Sequence, residues 1–146
     1  MKIRVLQLLA AAVVCLTFFV QASEAPLNVI GAKTVTLDQA KKLHEAGATF
    51  IDVRGDSEWG WGHIQGASHL DLTAEFNQLY LPDTMDRSQP IVVYCNSVAC
   101  HRSALAAFLA VSWGYSEVYY FREGYFTWMA ADYPIDTSVE TQAAAN

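Results

Sequence analysis

The stretch IVVYC at residues 91–95 constrains the fold more than any other part of the chain. Pro90 precedes four consecutive apolar residues and Cys95 follows them. A short, continuous apolar run after a turn residue is typical of a strand buried on both faces of a parallel sheet. Residues 102–114 then form a helical pattern that Gly114 ends, with Leu105, Phe108, Leu109 and Trp113 on one face.

Strand and helix patterns alternate through the rest of the chain. Apolar, β-branched runs predict strands at residues 48–54, 68–72 and 116–121, and helices are predicted at residues 34–47, 73–80 and 125–133. Thr36 is the predicted N-cap of the first helix, Gln39 completes its capping box and Gly47 ends it. Residues 55–67 contain four glycines and are predicted to be a loop. The alternation predicts an α/β fold, a doubly wound and mostly parallel sheet flanked by helices.

The first 22 residues have the pattern of a signal peptide. Lys2 and Arg4 precede an apolar run from Val5 to Val20, and small residues then favour cleavage after Ala22. A membrane anchor is the alternative, but the run is shorter than the roughly 20 residues that span a bilayer. We therefore expect a periplasmic or secreted protein. Residues 23–33 are then an N-terminal tail, 34–136 the domain and 137–146 a C-terminal tail.

The charge of the mature chain argues against two classes of partner. Loss of Lys2 and Arg4 takes the formal charge from −6 to −8. Such a surface repels nucleic acid and anionic lipid, so we expect no nucleic acid and no membrane as partners after cleavage. Cleavage also removes Cys15, which leaves Cys95 and Cys100 as the only thiols, in an oxidising compartment.

Cys95 is predicted to stand at the carboxyl end of a buried strand, just before a helix begins. Ligands bind at this edge of parallel sheets. A loop leading into a helix directs backbone N–H groups inward, and the helix dipole adds positive charge there. We expect this cradle to stabilise a thiolate, a persulfide or an oxyanion, with Arg102 adding a permanent charge. The alternative is that Cys95 is a small buried core residue.

The segment CNSVACH also raises two cofactor hypotheses. Haem attachment usually has two residues between the cysteines, and here there are four. A zinc site of Cys95, Cys100 and His101 lacks a fourth ligand. We therefore predict no cofactor and no metal.

Two longer stretches resemble one protein family. FIDVRGDSEWGWGHIQGASHLDL (residues 50–72) and VVYCNSVACHRSALAAFLAVSWGYSEVYYFREGYFTW (residues 92–128) are similar to the two signatures of rhodanese-like domains, in the family's order. The resemblance runs from about Val35 to Pro134. It implies a sulfurtransferase that takes a sulfane sulfur from a donor, holds it as a cysteine persulfide and passes it to a nucleophilic acceptor.

The resemblance also implies roles for single residues. Cys95 corresponds to the persulfide carrier and Arg102 to the basic residue that closes the active-site loop. The amides of the anion cradle then belong to Asn96, Ser97, Val98, Ala99, Cys100 and His101. Four signature residues are interpreted as supporting scaffold: Asp52 and His63 bonded to turns, and Arg54 paired with Glu58.

The sequence departs from the family pattern at two places. Six residues, not four, separate Cys95 from Arg102, and a longer loop accompanies phosphate chemistry in related phosphatases. Glu123 stands where the family usually has the first of two glycines, which predicts a negative charge near the entrance and disfavours thiosulfate as donor.

The role of Cys100 stays open between two interpretations. It could attack a persulfide or sulfenate on Cys95 and close a disulfide, as a resolving or redox partner. It could equally form a resting disulfide in an oxidising compartment. The sequence thus predicts a sulfurtransferase with a small sulfur donor, a thiol acceptor and a periplasmic thiol reductant as partners. The alternatives are a redox or binding module, and third a phosphatase or arsenate-reductase-like activity.

Overall fold

The computed structural model describes residues 23–79 and 86–137 and contains seven strands and four helices in those ranges. The strands are β1 (Lys33–Thr34), β2 (Thr49–Asp52), β3 (His63–Ile64), β4 (Ser68–His69), β5 (Ile91–Tyr94), β6 (Val118–Phe121) and β7 (Ile135–Asp136). The helices are α1 (Leu37–Glu45), α2 (Asp56–Trp61), α3 (Arg102–Ser112) and α4 (Gly124–Ala130). A 3₁₀ turn at Phe76–Leu79 occupies part of the predicted 73–80 helix.

Five strands form one parallel sheet in the order β1-β6-β5-β2-β4. The remaining two, β3 and β7, pair antiparallel beside it. Helices α3 and α4 lie in the connections after β5 and β6, and α3 packs on both of these strands. The α/β fold with a mostly parallel sheet that the sequence predicted is confirmed.

The central strand β5 is buried on both faces of the sheet. All four residues of β5 are buried. Ile91, Val93 and Cys95 belong to one core cluster, and Val92 and Tyr94 belong to the other. Because successive side chains of a strand point to opposite faces, the sheet carries a core on each side.

Helix α1 begins as the capping pattern predicted. The Thr36 hydroxyl accepts a hydrogen bond from the Gln39 N–H at 3.4 Å, and the Gln39 side chain accepts one from the Thr36 N–H at 3.0 Å. The helix ends before Gly47, whose φ of +82° continues the chain in a conformation that favours glycine.

Helix α2 lies within residues 55–67, where the sequence predicted a loop, so that prediction was wrong. Gly55 is its N-cap, and the Glu58 carboxylate accepts the Gly55 N–H at 3.1 Å. No residue of α2 is buried, so its sequence lacks the apolar periodicity by which helices are recognised.

The predicted apolar face of α3 is only half correct. Leu109 and Trp113 pack at the edge of the core, but Leu105 and Phe108 are each about half exposed. The buried face consists of small side chains: Ser103, Ala104, Ala106, Ala107 and Ala110. Small residues allow α3 to approach the sheet closely. This close packing stabilises the helix more than burial of the larger Leu105 and Phe108 side chains would.

Residues 23–29, predicted to be part of a tail, pack onto the domain; we call them the N-terminal strap. Ala25 and Val29 are 2% and 8% exposed, and Val29 joins the core cluster of Cys95. The predicted signal peptide, residues 80–85 and nearly all of the C-terminal tail lie outside the described residues. Within the described ranges, no helix has the length and apolar character needed to cross a membrane.

The strand order places the topological switch point of the sheet between β2 and β5. From β2 the chain continues to β4 on one side, and from β5 it continues to β6 on the other. In open α/β sheets this switch point, at the carboxyl ends of the strands, is where ligands bind. Asp52 ends β2 here, and Cys95 follows β5.

Candidate active site

The loop from Cys95 to His101 connects β5 to α3 and is closed by a disulfide. Cys95 and Cys100 are bonded to each other, with their Cα atoms 6.1 Å apart, within the range that disulfides span. The two cysteines differ in exposure: Cys95 is 2% exposed, and Cys100 is only partly buried. The structure thus shows the oxidised form of the loop.

In this oxidised form the loop uses some of its amides internally. The Cys100 N–H donates to the Ser97 carbonyl oxygen at 2.9 Å, and the Ala99 N–H donates to the Ser97 hydroxyl at 3.3 Å. An anion cradle that uses these two amides therefore requires the loop to rearrange. The cradle stays a prediction for the reduced protein.

The start of α4 fixes the backbone at Cys95. The Tyr125 N–H donates to the Cys95 carbonyl oxygen at 2.8 Å, and the Phe126 N–H donates to the Asn96 carbonyl oxygen at 3.0 Å. Gly124 has a φ of +70°, and a Cβ placed on it would overlap the Cys95 carbonyl oxygen. Only glycine fits this close approach, so Gly124 is a site residue that the sequence analysis did not single out.

Arg54 and Asp52 form a fully buried ion pair beside the loop. Arg54 is 1% exposed and Asp52 is 0% exposed. The guanidinium donates to the carboxylate from Nε at 3.0 Å and from Nη2 at 2.6 Å, and Nη2 also donates to the Gly62 carbonyl at 2.7 Å. Burial by itself lowers the pKa of Arg54, but the hydrogen bonds and charge of Asp52 outweigh it and raise that pKa. The sequence paired Arg54 with Glu58, and that pairing was wrong.

Asn96 connects this ion pair to the loop. Its side-chain oxygen accepts from Arg54 Nη1 at 3.3 Å, and its amide nitrogen donates to a carboxylate oxygen of Glu58. The other oxygen of Glu58 accepts the N–H of Gly55, the N-cap of α2. The residue directly after Cys95 is thus tied to the segment after β2 and to α2, both distant in sequence.

Tyr125 covers the guanidinium of Arg54. The ring centroid lies 4.3 Å from the guanidinium carbon, within the range of a cation–π contact. Burial raises the pKa of the Tyr125 hydroxyl above its ordinary value, so the ring stays neutral at physiological pH.

Arg102, the first residue of α3, is anchored to the neighbouring strand end. Its Nη1 donates to the Val53 carbonyl at 3.2 Å and lies 3.4 Å from the Asp71 carboxylate. Burial tends to raise the pKa of Asp71, but hydrogen bonds from Thr73 and the charge of Arg102 lower it. Asp71 was missed as a site residue; the available signal was its place in the predicted strand 68–72, whose carboxyl end lies at the same edge of the parallel sheet as those of β2 and β5.

The contacts of His63 are with Trp59 of α2. Its Nδ1 is 3.3 Å from the Trp59 carbonyl oxygen, and its ring stacks on the Trp59 ring with centroids 3.3 Å apart. Burial lowers the pKa of His63, which favours the neutral ring. These contacts fit the scaffold role proposed for it.

The N-terminal strap borders the loop on its outer side. The Ala25 N–H donates to the Val98 carbonyl at 2.7 Å, and His101 Nε2 donates to the Ser23 carbonyl at 2.8 Å. Arg122 secures the strap by donating to the Ala25 carbonyl at 3.0 Å and to the Glu24 carboxylate at 2.6 Å. The strap therefore contributes to the conformation of a loop that is longer than usual.

Glu123 has a different role from the predicted one. Its carboxylate accepts the Leu37 N–H at 2.7 Å, at the start of α1. This is a favourable position for a carboxylate, because the first N–H groups of a helix lack partners within the helix. The helix N-terminus partly offsets this charge, and the effect of Glu123 on the choice of donor stays a prediction.

The three residues considered for a zinc site have other bonding partners in the structure. Cys95 and Cys100 bond to each other, and His101 bonds to Ser23. In the two described ranges, no group of three or more His, Cys, Asp or Glu residues is placed to hold a metal ion.

Comparison with known proteins identifies the class to which this fold and site belong. Residues 36–131 match the rhodanese-like domain family. The chain is 34% identical over 101 residues to the thiosulfate sulfurtransferase GlpE of Pseudomonas paraeruginosa, covering 69% of this chain and 86% of that protein. The chain therefore belongs to the rhodanese-like domain family.

Solved structures give a similar picture. The polysulfide-sulfur transferase homodimer of Wolinella succinogenes superposes with a TM-score of 0.60 at 25% identity, covering 73% of this chain and 80% of that one. A Rhodopseudomonas palustris protein described as a possible tyrosine phosphatase superposes with a TM-score of 0.59 at 25% identity, covering 72% and 85%.

Proposed function

We propose that this protein is a sulfurtransferase that carries a sulfane sulfur as a persulfide on Cys95. The observation that carries the proposal is the position of Cys95 at the carboxyl end of the central strand. It lies at the switch point of the sheet and at the start of the loop that leads into α3. The sulfurtransferase names of the similar proteins from Pseudomonas and Wolinella support the same chemistry.

The transfer has two steps, each a displacement at sulfur. The Cys95 thiolate attacks the outer sulfur of a donor such as thiosulfate; a new S–S bond forms, and sulfite leaves with the electron pair of the broken bond. An acceptor thiolate then attacks the outer sulfur of the persulfide and releases the Cys95 thiolate. We propose that amides of residues 96–101, the N-terminus of α3 and Arg102 stabilise the anions along this path.

Transfer also requires a reductant, because Cys95 is bonded to Cys100 in the structure. We propose export to an oxidising compartment, on the strength of the signal-peptide pattern, where this disulfide is the resting form. A thiol reductant of that compartment then supplies two electrons to open it.

Intact mass spectrometry tests the proposal. Wild-type protein, Cys95→Ser and Cys100→Ser would each be incubated with thiosulfate or polysulfide, with and without prior reduction. We expect a gain of about 32 Da, one sulfur, on Cys100→Ser and, in samples taken at once, on reduced wild type. No gain is expected on Cys95→Ser or on unreduced wild type. No gain on any sample with either donor would contradict the proposal.

The disulfide itself favours a second candidate, a rhodanese-fold redox or binding module that does not transfer sulfur. In that case reduced Cys95 takes up no sulfur, although the disulfide still opens and closes with thiols. The longer loop, together with the similarity to the possible phosphatase, leaves a phosphatase or arsenate-reductase-like activity as the third. Hydrolysis of an aryl phosphate by the reduced protein would support that third function.

A further inference from the structure

Cys95 and Cys100 share one disulfide but present their sulfur atoms to different surroundings. Cys95 is 2% exposed and belongs to the core cluster that includes Val93 and Ala104. Cys100 is partly exposed and packs only at the edge of that cluster, next to the exposed Ala99. An external reactant therefore meets Cys100 first.

The direction of attack strengthens this difference. In thiol–disulfide exchange the incoming sulfur, the attacked sulfur and the leaving sulfur lie approximately in line. Attack on Cys100 comes from the side away from Cys95, and Cys100 is partly exposed. Attack on Cys95 would have to come from the side away from Cys100, where the core packs around Cys95.

The backbone contacts of the two cysteines also differ. Cys95 directly follows a strand, and Tyr125 and Gly124 fix its carbonyl, as described above. The amide of Cys100 donates to Ser97, which is in the same loop. Cys100 is therefore held through the loop and, at its neighbours Val98 and His101, by the N-terminal strap, and it can shift with them when the disulfide breaks. Cys95 keeps its position between β5 and α4.

We propose that Cys100 is the site at which an external thiol enters, and that Cys95 is always the leaving group. The thiolate RS⁻ attacks the Cys100 sulfur and forms an RS–Cys100 mixed disulfide. The Cys95–Cys100 bond breaks, and its electron pair leaves on Cys95 as a thiolate. A second thiolate then attacks the R sulfur of the mixed disulfide, which releases RSSR and the Cys100 thiolate.

The proposal assigns each cysteine one task. Cys100 accepts the reductant at the surface, and this exchange delivers a Cys95 thiolate without any reductant entering the core. The inference rests on the disulfide and its surroundings, and it holds whether or not Cys95 then transfers sulfur. Loss of sulfur uptake in the mass experiment above would therefore leave it intact.

Mapping of the mixed disulfide with glutathione tests the proposal on unaltered protein. Oxidised protein would be exposed briefly to about one equivalent of glutathione, quenched with N-ethylmaleimide and digested with trypsin. Residues 88–102 then form one peptide that contains both cysteines. Fragmentation of this peptide shows which cysteine carries glutathione and which carries maleimide.

We expect glutathione on Cys100 and maleimide on Cys95 in at least a tenfold excess over the reverse arrangement. Equal labelling, an excess on Cys95, or a disulfide that excess glutathione leaves closed would overturn the proposal. If the mixed disulfide does not accumulate, the rates of reduction decide. Attack at the surface predicts similar rates for glutathione and 2-mercaptoethanol at equal thiolate concentration, and a more than tenfold preference for the smaller thiol would contradict it.

Discussion

The backbone of Gly124, the first residue of α4, touches the carbonyl group of Cys95, the residue that follows β5. A Cβ on Gly124 would overlap the Cys95 carbonyl oxygen and lie 2.8 Å from the Asn96 carbonyl carbon. The contact fixes the base of the loop, whereas the N-terminal strap bonds Val98 and His101 further along it.

Gly124→Ala is expected to destabilise the protein and to displace Cys95. The side chain would adopt an unfavourable positive φ and clash with backbone atoms, at a cost of at least about 1–3 kcal/mol. Urea unfolding measures the loss, and sulfur uptake by the reduced variant measures the displacement. Gly60→Ala is the matched control, because a Cβ there meets nothing within 4 Å and Gly60 lies inside a helix. Equal unfolding midpoints for the two variants would contradict the role of Gly124.

Asn96 is expected to be essential for the link between the buried ion pair and the loop. Asn96→Ala removes the hydrogen bonds to Arg54 and Glu58, and each such bond contributes about 0.5–1.5 kcal/mol. Asn96→Asp retains the acceptor for Arg54 but places a carboxylate against that of Glu58. Its loss of stability relative to wild type should therefore shrink as the pH falls through the range in which carboxylates protonate, about 4 to 5.

Urea unfolding at a series of pH values measures this effect. Asn28→Ala, a change at an exposed residue, controls for the loss of an asparagine side chain. A penalty for Asn96→Asp that does not change between pH 7 and pH 4 would show that Glu58 and residue 96 are not coupled.

Asp71 is expected to make a contribution to stability that depends on pH. Its pKa is lowered in the folded protein, so the folded state favours the ionised carboxylate more than the unfolded state does. The contribution is fully present above the unfolded pKa of about 3.9 and is lost as the pH falls through the lower folded pKa. The difference in stability between wild type and Asp71→Asn should be constant from pH 7 to about 5 and decrease below about pH 4. A difference in stability that grows as the pH falls would show that the pKa of Asp71 is raised, and not lowered, in the folded protein.

Cys100 is expected to remove the outer sulfur of the Cys95 persulfide when no other acceptor is present. In reduced, sulfur-loaded wild type, the Cys100 thiolate attacks the outer sulfur of the persulfide, which moves that sulfur to Cys100 and frees the Cys95 thiolate. The Cys95 thiolate then attacks the Cys100 sulfur, which re-forms the disulfide and releases hydrosulfide from Cys100. In Cys100→Ser the added sulfur, about 32 Da, should remain after the donor is removed. Intact mass over time, together with a sulfide assay, measures the release. Loss of sulfur at the same rate from both proteins would rule out Cys100 as the internal acceptor.

The N-terminal strap is expected to loosen when Arg122 is replaced by Ala. The variant loses the hydrogen bonds to Ala25 and Glu24, each contributing on the order of 1 kcal/mol. Hydrogen exchange of the strap amides, and of the Ala25 amide that bonds Val98 in particular, should then accelerate by about tenfold. Lys33→Ala, which removes an exposed ion pair with Glu117, is the control. Unchanged exchange in Arg122→Ala would show that other contacts hold the strap.

Much of the fold could be predicted because local patterns agree with the tertiary structure. The apolar run before Cys95 can satisfy its backbone and its side chains only as a central parallel strand, and Thr36 with Gln39 marks the start of α1 by purely local hydrogen bonds. Helix α2 could not be predicted in this way, because it buries none of its residues and is stabilised at Gly55 by the carboxylate of Glu58. The exposed Leu105 and Phe108 were misjudged since periodicity alone does not say which face of α3 meets the sheet.

Local patterns were enough to predict the class of fold, the place of Cys95 at the carboxyl end of a buried strand and the two-cysteine loop that follows. These properties depend on apolar runs, turn residues and order along the chain. Tertiary packing was needed to show that Arg54 pairs with Asp52, that Asn96 joins this pair to Glu58, and that Gly124 and the strap hold the loop. The contacts that secure the strap join residues up to 98 positions apart, as between Glu24 and Arg122. Which partner a buried charge takes depends on how the strands and helices pack around it, and adjacency along the chain does not determine that packing.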